Sequence, residues 1–186
     1  MNNNQVRITP PVVILAGGCD EHVIEKMESY REVLIDSFSD FRGTILSGGT
    51  AAGISKIAAE IGVIYSATIT TIGYLPACAT PDSRYSHLVN TQGHDFSLVE
   101  SLRMWGDILL SECDPRKVVL IGVNGGVIAR GEYQIAVAMG ARVGLIIGSG
   151  RSADDMLRDP FWSRMVISLG ANFDEIRRLY EFHENL

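Results

Sequence analysis

Four stretches of the chain combine glycine with small polar residues: Gly17-Gly18, Ser47-Gly48-Gly49-Thr50, Asn124-Gly125-Gly126 and Gly148-Ser149-Gly150, the last followed at once by Arg151. Each comes after an apolar run and before a segment of helical spacing. Glycine lets the backbone approach a phosphate closely enough for its N–H groups to donate, and the start of the following helix adds partial positive charge. One such loop is ordinary turn geometry. Four at corresponding places describe a rim of amide donors along one edge of a parallel sheet, where nucleotide-type ligands are held. Arg151 adds a planar fork able to pair with phosphate or carboxylate, or else sits solvated at a helix start. Glu132, in the first turns of the helix after Asn124-Gly125-Gly126, is either a ligand or catalytic group or a surface acid favoured by the helix dipole.

Other chemistry-bearing residues carry weaker readings. Arg84 and His87 lie beside Tyr85 in a long irregular segment, and either close over a ligand or remain solvated. His94, Asp95 and Ser97 precede a helix that Asp95 or Ser97 would cap. Cys19 follows Gly17-Gly18 without an assignable histidine partner and reads as a small packed residue rather than a reactive thiolate. Trp105 and Trp162 fall among apolar neighbours, as core or interface aromatics. No His, Cys or carboxylate set has metal-ligand spacing, so neither a metal nor a cofactor is expected.

These residues need elements to position them. Apolar β-branched runs at Val12–Ala16, Thr44–Ser47, Tyr65–Ile72, Lys117–Gly122 and Arg142–Ile147 alternate with helical stripes. The stripes are Val23, Met27, Tyr30, Leu34 and Phe38 after Asp20 as N-cap; Ile54, Ile57, Ala58 and Ile61; Leu98, Leu102, Trp105, Ile108 and Leu109; and Tyr133, Ile135, Ala136 and Met139. A last helix is expected near Phe173–His183. The alternation predicts a Rossmann-like three-layer α/β/α sandwich with a mainly parallel sheet. Residues 1–10 read as a flexible leader and 11–186 as a single domain. The segment Leu75–Phe96 has neither period, and an irregular stretch of that length is expected to cover the site.

At 46% hydrophobic and 20% charged over 186 residues, the chain can bury one sizeable core. Its apolar runs are too short to cross a bilayer and no signal pattern opens it, so it is expected in the cytoplasm without direct membrane insertion. Three cysteines without CxxC spacing argue against a disulfide scaffold and against structural zinc. A formal charge of -6 without a Lys/Arg cluster argues against nucleic acid as partner. No GxGxxG follows the first strand and no GxxxxGK[ST] occurs, which removes the standard dehydrogenase and ATPase motifs.

The stretches TILSGGTAAGISKIAAE, TIGYLP, GVNGGVIARGE and GLIIGSGRSADDM, with WGDILL and the FSLVE helix start, resemble the SLOG superfamily from Val12 to about Trp162. Within it the chain resembles the prokaryotic LSDAT family, related to the SLOG domain of TRPM channels, and more distantly the LOG-type phosphoribohydrolases and Smf/DprA. The resemblance implies a nucleotide or nucleotide-derived ligand, an NAD-derived signal such as cyclic ADP-ribose among them. It implies a sensor acting with a fused or associated effector or membrane module, and a homo-oligomer such as a dimer. Gly48, Gly49 and Thr50 would cradle one part of the ligand, with Gly125, Gly126 and Glu132 matching the other signature loop. The alternative is a LOG-type hydrolase with Glu132 as its catalytic group. Against it, Asn124 stands where the PGGxGTxxE signature has proline, and Ile128 and Ala129 stand where it has Gly-Thr.

Overall fold

The computed structural model describes residues 6–181. Seven strands form one sheet in the order β4-β3-β2-β1-β5-β6-β7: β1 Val12–Gly17, β2 Gly43–Ser47, β3 Ile69–Leu75, β4 His87–Asn90, β5 Val118–Val123, β6 Arg142–Ile146 and β7 Ile167–Leu169. All pairings are parallel. β1 is central, and its Val-Val-Ile-Leu run is buried on both faces, as a parallel strand covered by helices requires.

The alternation of side chains along the strands sorts the core into two layers. Val13 and Leu15 pack with Ile45 and Val119 under α1 (Ile24–Glu28), α2 (Arg31–Ser37), α3 (Gly53–Ile64) and α7 (Phe173–Glu181). Val12 and Ile14 pack with Leu46 and Leu120 under α4 (Leu98–Leu110), α5 (Val127–Ala138) and α6 (Arg151–Arg158). Trp105 is part of this second layer, and Trp162 packs half-buried against it.

Several element boundaries differ from the sequence reading, each for a local reason. The single helix expected after Asp20 is broken. Asp20 does accept from the His22 amide, but only a short 3-10 turn follows, and the Ser29 hydroxyl bonds back to the Lys26 carbonyl where α1 stops. The strand expected over Tyr65–Ile72 begins at Ile69, because Tyr65 ends α3 and its carbonyl receives the amides of Thr68 and Ile69. Strands β4 and β7 went unanticipated, being four and three residues long and mostly exposed, too short to show a period. The leader is corrected at its inner end. Ile8 is fully buried, its amide bonds to the Ser111 hydroxyl, and Thr9 exchanges hydrogen bonds with Thr44. Residues 1–5 of that leader, and the last two of the helix expected over Phe173–His183, lie outside the described residues.

The core carries the stability of this arrangement. Ile45, on β2 between β1 and β3, is completely buried. Ile45→Ala removes three carbons from a packed site and is expected to lower the unfolding free energy by about 2–5 kcal/mol. Urea titration checks this, and a loss under about 1 kcal/mol would contradict the packing described.

Candidate functional site

Strand order reverses at β1, whose neighbours β2 and β5 lead away in opposite directions, so the loops after these strands diverge and leave a crevice. Backbone-to-backbone contacts fix its floor. The Gly18 amide donates to the Val123 carbonyl at 3.1 Å, and the Ile54 amide donates to the Gly18 carbonyl at 3.1 Å. Gly53 has φ +50°, and a Cβ there would stand 2.0 Å from the Gly18 carbonyl oxygen, so no other residue fits. Above this floor opens a cavity of about 780 Å³. Its walls come from the end of β1, from Ser47 to Ser55, from the start of α5 and from α4.

Each strand-to-helix junction in the sheet has helix-start amides to satisfy. At the first, Asp20 caps the 3-10 turn. Before α4, Ser97 and Glu100 form a reciprocal capping box. Before α6, the Asp154 carboxylate receives the amides of Gly148 and Gly150, while the Ser152 and Ala153 amides donate to the carbonyls of Gly125 and Asn124. Before α7, Asn172 accepts from the Glu175 amide and Glu175 from that of Gly170. Only α3 and α5 have neither a side-chain cap nor an acidic residue in the first turn, among the described residues. Both begin on the cavity wall, at Thr50, Ala51 and Ala52 and at Gly126, Val127 and Ile128.

Three carboxylates share the cavity: Asp20, Glu100 and Glu132. Asp20 is bound by Arg151 at 2.5 Å, which holds its carboxyl below the usual carboxylate range. Glu100 is buried and accepts from the Ser97 amide at 2.8 Å, from the Ser97 hydroxyl at 3.2 Å and from the Thr91 hydroxyl. Glu132 has no hydrogen-bond partner among the described residues. Loss of hydration, with the charge of Glu100 added, pushes its carboxyl up to about 7. The Cys19 thiol lies 3.6 Å from the Ser55 hydroxyl and is raised by desolvation, so it is no thiolate. Tyr74 forms part of the wall, its hydroxyl donating to Asp107 at 3.1 Å. The remaining lining is largely apolar, from Ile14, Phe96, Met104, Val127 and Ile128. Among the described residues no cluster of three or more His, Cys, Asp or Glu is arranged to hold a metal ion.

Comparison with known families decides the lineage. The model of the family described as SLOG in TRPM, prokaryote, matches residues 10–174. The chain belongs to this family. No curated protein matches the sequence. Among solved structures, the SLOG domain is similar to that of TM1055, at 21% identity and TM-score 0.69 over 92% of this chain and 98% of that one. It is also similar to the molybdenum cofactor carrier protein of Chlamydomonas reinhardtii, at 16% identity and TM-score 0.66 over 92% and 98%. A third likeness is the molybdenum cofactor binding protein of Rippkaea orientalis, at 16% identity and TM-score 0.64 over 92% and 96%. At such identities these likenesses establish the shared fold.

The SLOG fold brings Gly17, Gly18, Ser47, Gly48, Thr50, Gly126 and Glu132 to one cavity. Other candidates hold its frame. The Ser47 hydroxyl is spent on the Leu15 carbonyl, and the Gly49 carbonyl accepts from the Asp82 backbone amide. Asn124, at φ +62°, donates its backbone amide to the Ser149 hydroxyl and its side-chain amide to the Ser149 carbonyl, while its side-chain oxygen accepts from the Gly125 amide. Gly148, Ser149 and Gly150 are thus engaged internally, which corrects their reading as a free phosphate cradle. Arg151 does reach the cavity rim, half-exposed, between Asp20 and Gly126. Arg84 does not close over the site: its guanidinium binds Asp82 at 2.6 Å and Glu60 at 3.2 Å, stapling the segment to α3. That segment reaches the cavity through Thr80 and Phe96 instead, and His87 lies exposed on β4. Glu100 escaped the sequence reading, although Ser97-Leu98-Val99-Glu100 carries a capping-box signature.

The elevated Glu132 carboxyl has a consequence for stability. The folded chain holds a proton up to about 7 that the unfolded chain releases near 4.5, so stability falls as pH rises through that window and is unaffected below it. Glu132→Gln removes the penalty. Relative to the natural protein it is expected to gain up to about 3 kcal/mol at pH 8 and nothing at pH 4. Urea unfolding at both pH values checks this, and a pH-independent difference would contradict it.

Proposed function

We propose that the cavity binds a nucleotide or nucleotide-derived ligand, with phosphate against the uncapped starts of α3 and α5 and the sugar and base along the apolar wall. The observation that carries this reading is the distribution of caps: the two α-helices that start without a side-chain cap or a first-turn acid both start on the cavity wall. A phosphate there would receive backbone N–H donors and complement both helix dipoles, at about 1.5–3 kcal/mol for each charge-assisted bond. Arg151 would exchange Asp20 for the phosphate, and Phe96 would offer its ring to the base. The cofactor-carrying names of two similar structures support a ligand-holding role for such a fold.

The finer form of the reading is a sensor for an NAD-derived signal such as cyclic ADP-ribose. Ligand would favour one state of the domain and be read through a second copy or an associated effector, by its difference in affinity between the two states. No helix among the described residues is long and apolar enough to cross a membrane, so such coupling to a membrane would run through a partner.

Calorimetry with AMP, ADP-ribose and cyclic ADP-ribose tests binding, and Arg151→Ala should weaken it about tenfold, one charge-assisted pair being removed. Ala52→Asp separates binding from folding. Ala52 is the extended N-cap of α3, so an aspartate there supplies the missing cap, adding about 1 kcal/mol of stability, while its charge occupies the phosphate position. A raised melting temperature with lost nucleotide binding is expected. Retained affinity, or no binding of any nucleotide by the natural protein, would overturn the reading.

One observation favours a second reading. A carboxyl at about 7 is matched to proton transfer at neutral pH. Glu132 would then give its proton to the departing ring nitrogen as the N-glycosidic bond of a nucleotide breaks, and take one back from the water that adds at the sugar carbon. Free base released from AMP, and abolished by Glu132→Gln, is the expected result, read by chromatography. AMP intact after prolonged incubation would leave the binding role alone.

A further inference from the structure

The charge of the cavity is one-sided. Among its described lining residues are three carboxylates and no Lys, Arg or His. Asp20 is answered by Arg151, which leaves Glu100 and Glu132 on the lining of one cavity, coupled by charge and with no cation among the described residues that line it. On the helix that carries Glu100, Arg103 is bound to Asp107 at 3.1 Å, and the same carboxylate accepts from the Tyr74 hydroxyl. Glu100 is held in place by the Ser97 amide and hydroxyl and by the Thr91 hydroxyl, and Glu132 makes no hydrogen bond among the described residues. A ligand bringing only phosphate charge would therefore meet repulsion that the helix starts must overcome. A ligand with a positive centre at the other end would be attracted at both ends.

We propose that the Glu100 and Glu132 carboxylates make this cavity selective for a zwitterionic ligand, one that carries a positively charged ring or amine within reach of its phosphate. The inference rests on the reading of the cavity as a phosphate-ligand site and adds the charge of the group opposite the phosphate. Apolar walls from Ile14, Phe96 and Met104 suit a flat ring, and a desolvated cation beside an aromatic face gains further attraction. The Cys19 thiol and the Tyr133 hydroxyl also feel the charge of Glu132; both are raised, and neither supplies positive charge. Glu100 is the charged neighbour that acts on Glu132, and a bound cation would relieve the repulsion between the two.

Nicotinamide mononucleotide and its dihydro form make a matched pair of probes, with the same ribose phosphate, a nearly equal ring size and a ring charge of about one unit in the first alone. Calorimetry on the full chain at pH 6.5 and pH 8 gives both affinities. The cationic form is expected to bind about tenfold more tightly at pH 8, as one desolvated ion pair would give. Because Glu132 must lose its proton to pair with the ring, the preference should shrink about fourfold at pH 6.5, for a carboxyl near 7. The shared phosphate cancels from the ratio. Glu132→Gln should abolish the pH dependence of the preference and reduce it. Glu100→Gln, which keeps a residue suited to the third position of a capping box, should reduce it while the protein stays folded by circular dichroism.

Equal binding of the two forms, or tighter binding of the neutral one, would overturn the selectivity while leaving the phosphate site standing. Binding of neither would overturn both. A preference that survives with both glutamates replaced would take the assignment away from these residues.

Discussion

The contact on which the site depends is between two stretches of backbone. The Gly18 carbonyl, at the end of the central strand, accepts the Ile54 amide from the first turn of α3, and Gly53 lies flat against it. No side chain stands between the two segments. The β1 loop is fastened in turn to β5, through the Gly18 amide and the Val123 carbonyl. Two strand ends and a helix start are thereby locked at main-chain distance, so the starts of α3 and α5 flank one space instead of being pushed apart by side-chain bulk. Any Cβ at Gly53 would force the loops to separate and would also have to accept a left-handed backbone.

A second lock keeps the far side of the crevice in shape. Asn124 takes a backbone conformation that asparagine tolerates better than most residues, and its side chain spans to Ser149 while α6 begins by donating to the carbonyls of Asn124 and Gly125. The Tyr133 ring sits below, under Gly122, its hydroxyl within 3.4 Å of the carbonyls of Ala16 and Asn124. The glycine loops after β5 and β6 thus divide their labour. The former keeps one helix start open to the cavity, and the latter braces it from behind.

The sequence made the layers and the central strands plain because their signals are periodic and long. Val12–Ala16 and the α4 stripe are examples. What it hid were the short edge strands β4 and β7, whose identity comes only from the neighbour they pair with. It also marked the glycine loops without showing which were free. The acid that closes the loop at Gly148 is Asp154, six residues further on, and sequence spacing alone does not reveal that its two oxygens turn back onto the loop. Arg84 deceived in a similar way, because Asp82 two residues earlier folds back onto its guanidinium. Glu100 was concealed by having two uses, since the carboxylate that caps α4 from within also faces the cavity.

The bare starts of α3 and α5 are the more telling because capping would have been easy. A serine, threonine, aspartate or asparagine in place of Ala52 or Gly126 contributes about 0.5–2 kcal/mol over alanine, and somewhat less over glycine. The fold uses such groups at its other junctions, with Asp20, Ser97, Asp154 and Asn172. Leaving them out where the cavity opens costs stability through the unanswered amides, and the desolvated charge of Glu132 on the same lining adds a second cost. Both costs fall within one space, and both are of a kind that an incoming molecule can relieve: amide donors by its oxygens, a half-buried acid by its hydrogen-bond donors. Stability forgone where an incoming molecule can restore it is the pattern expected of the proposed binding cavity.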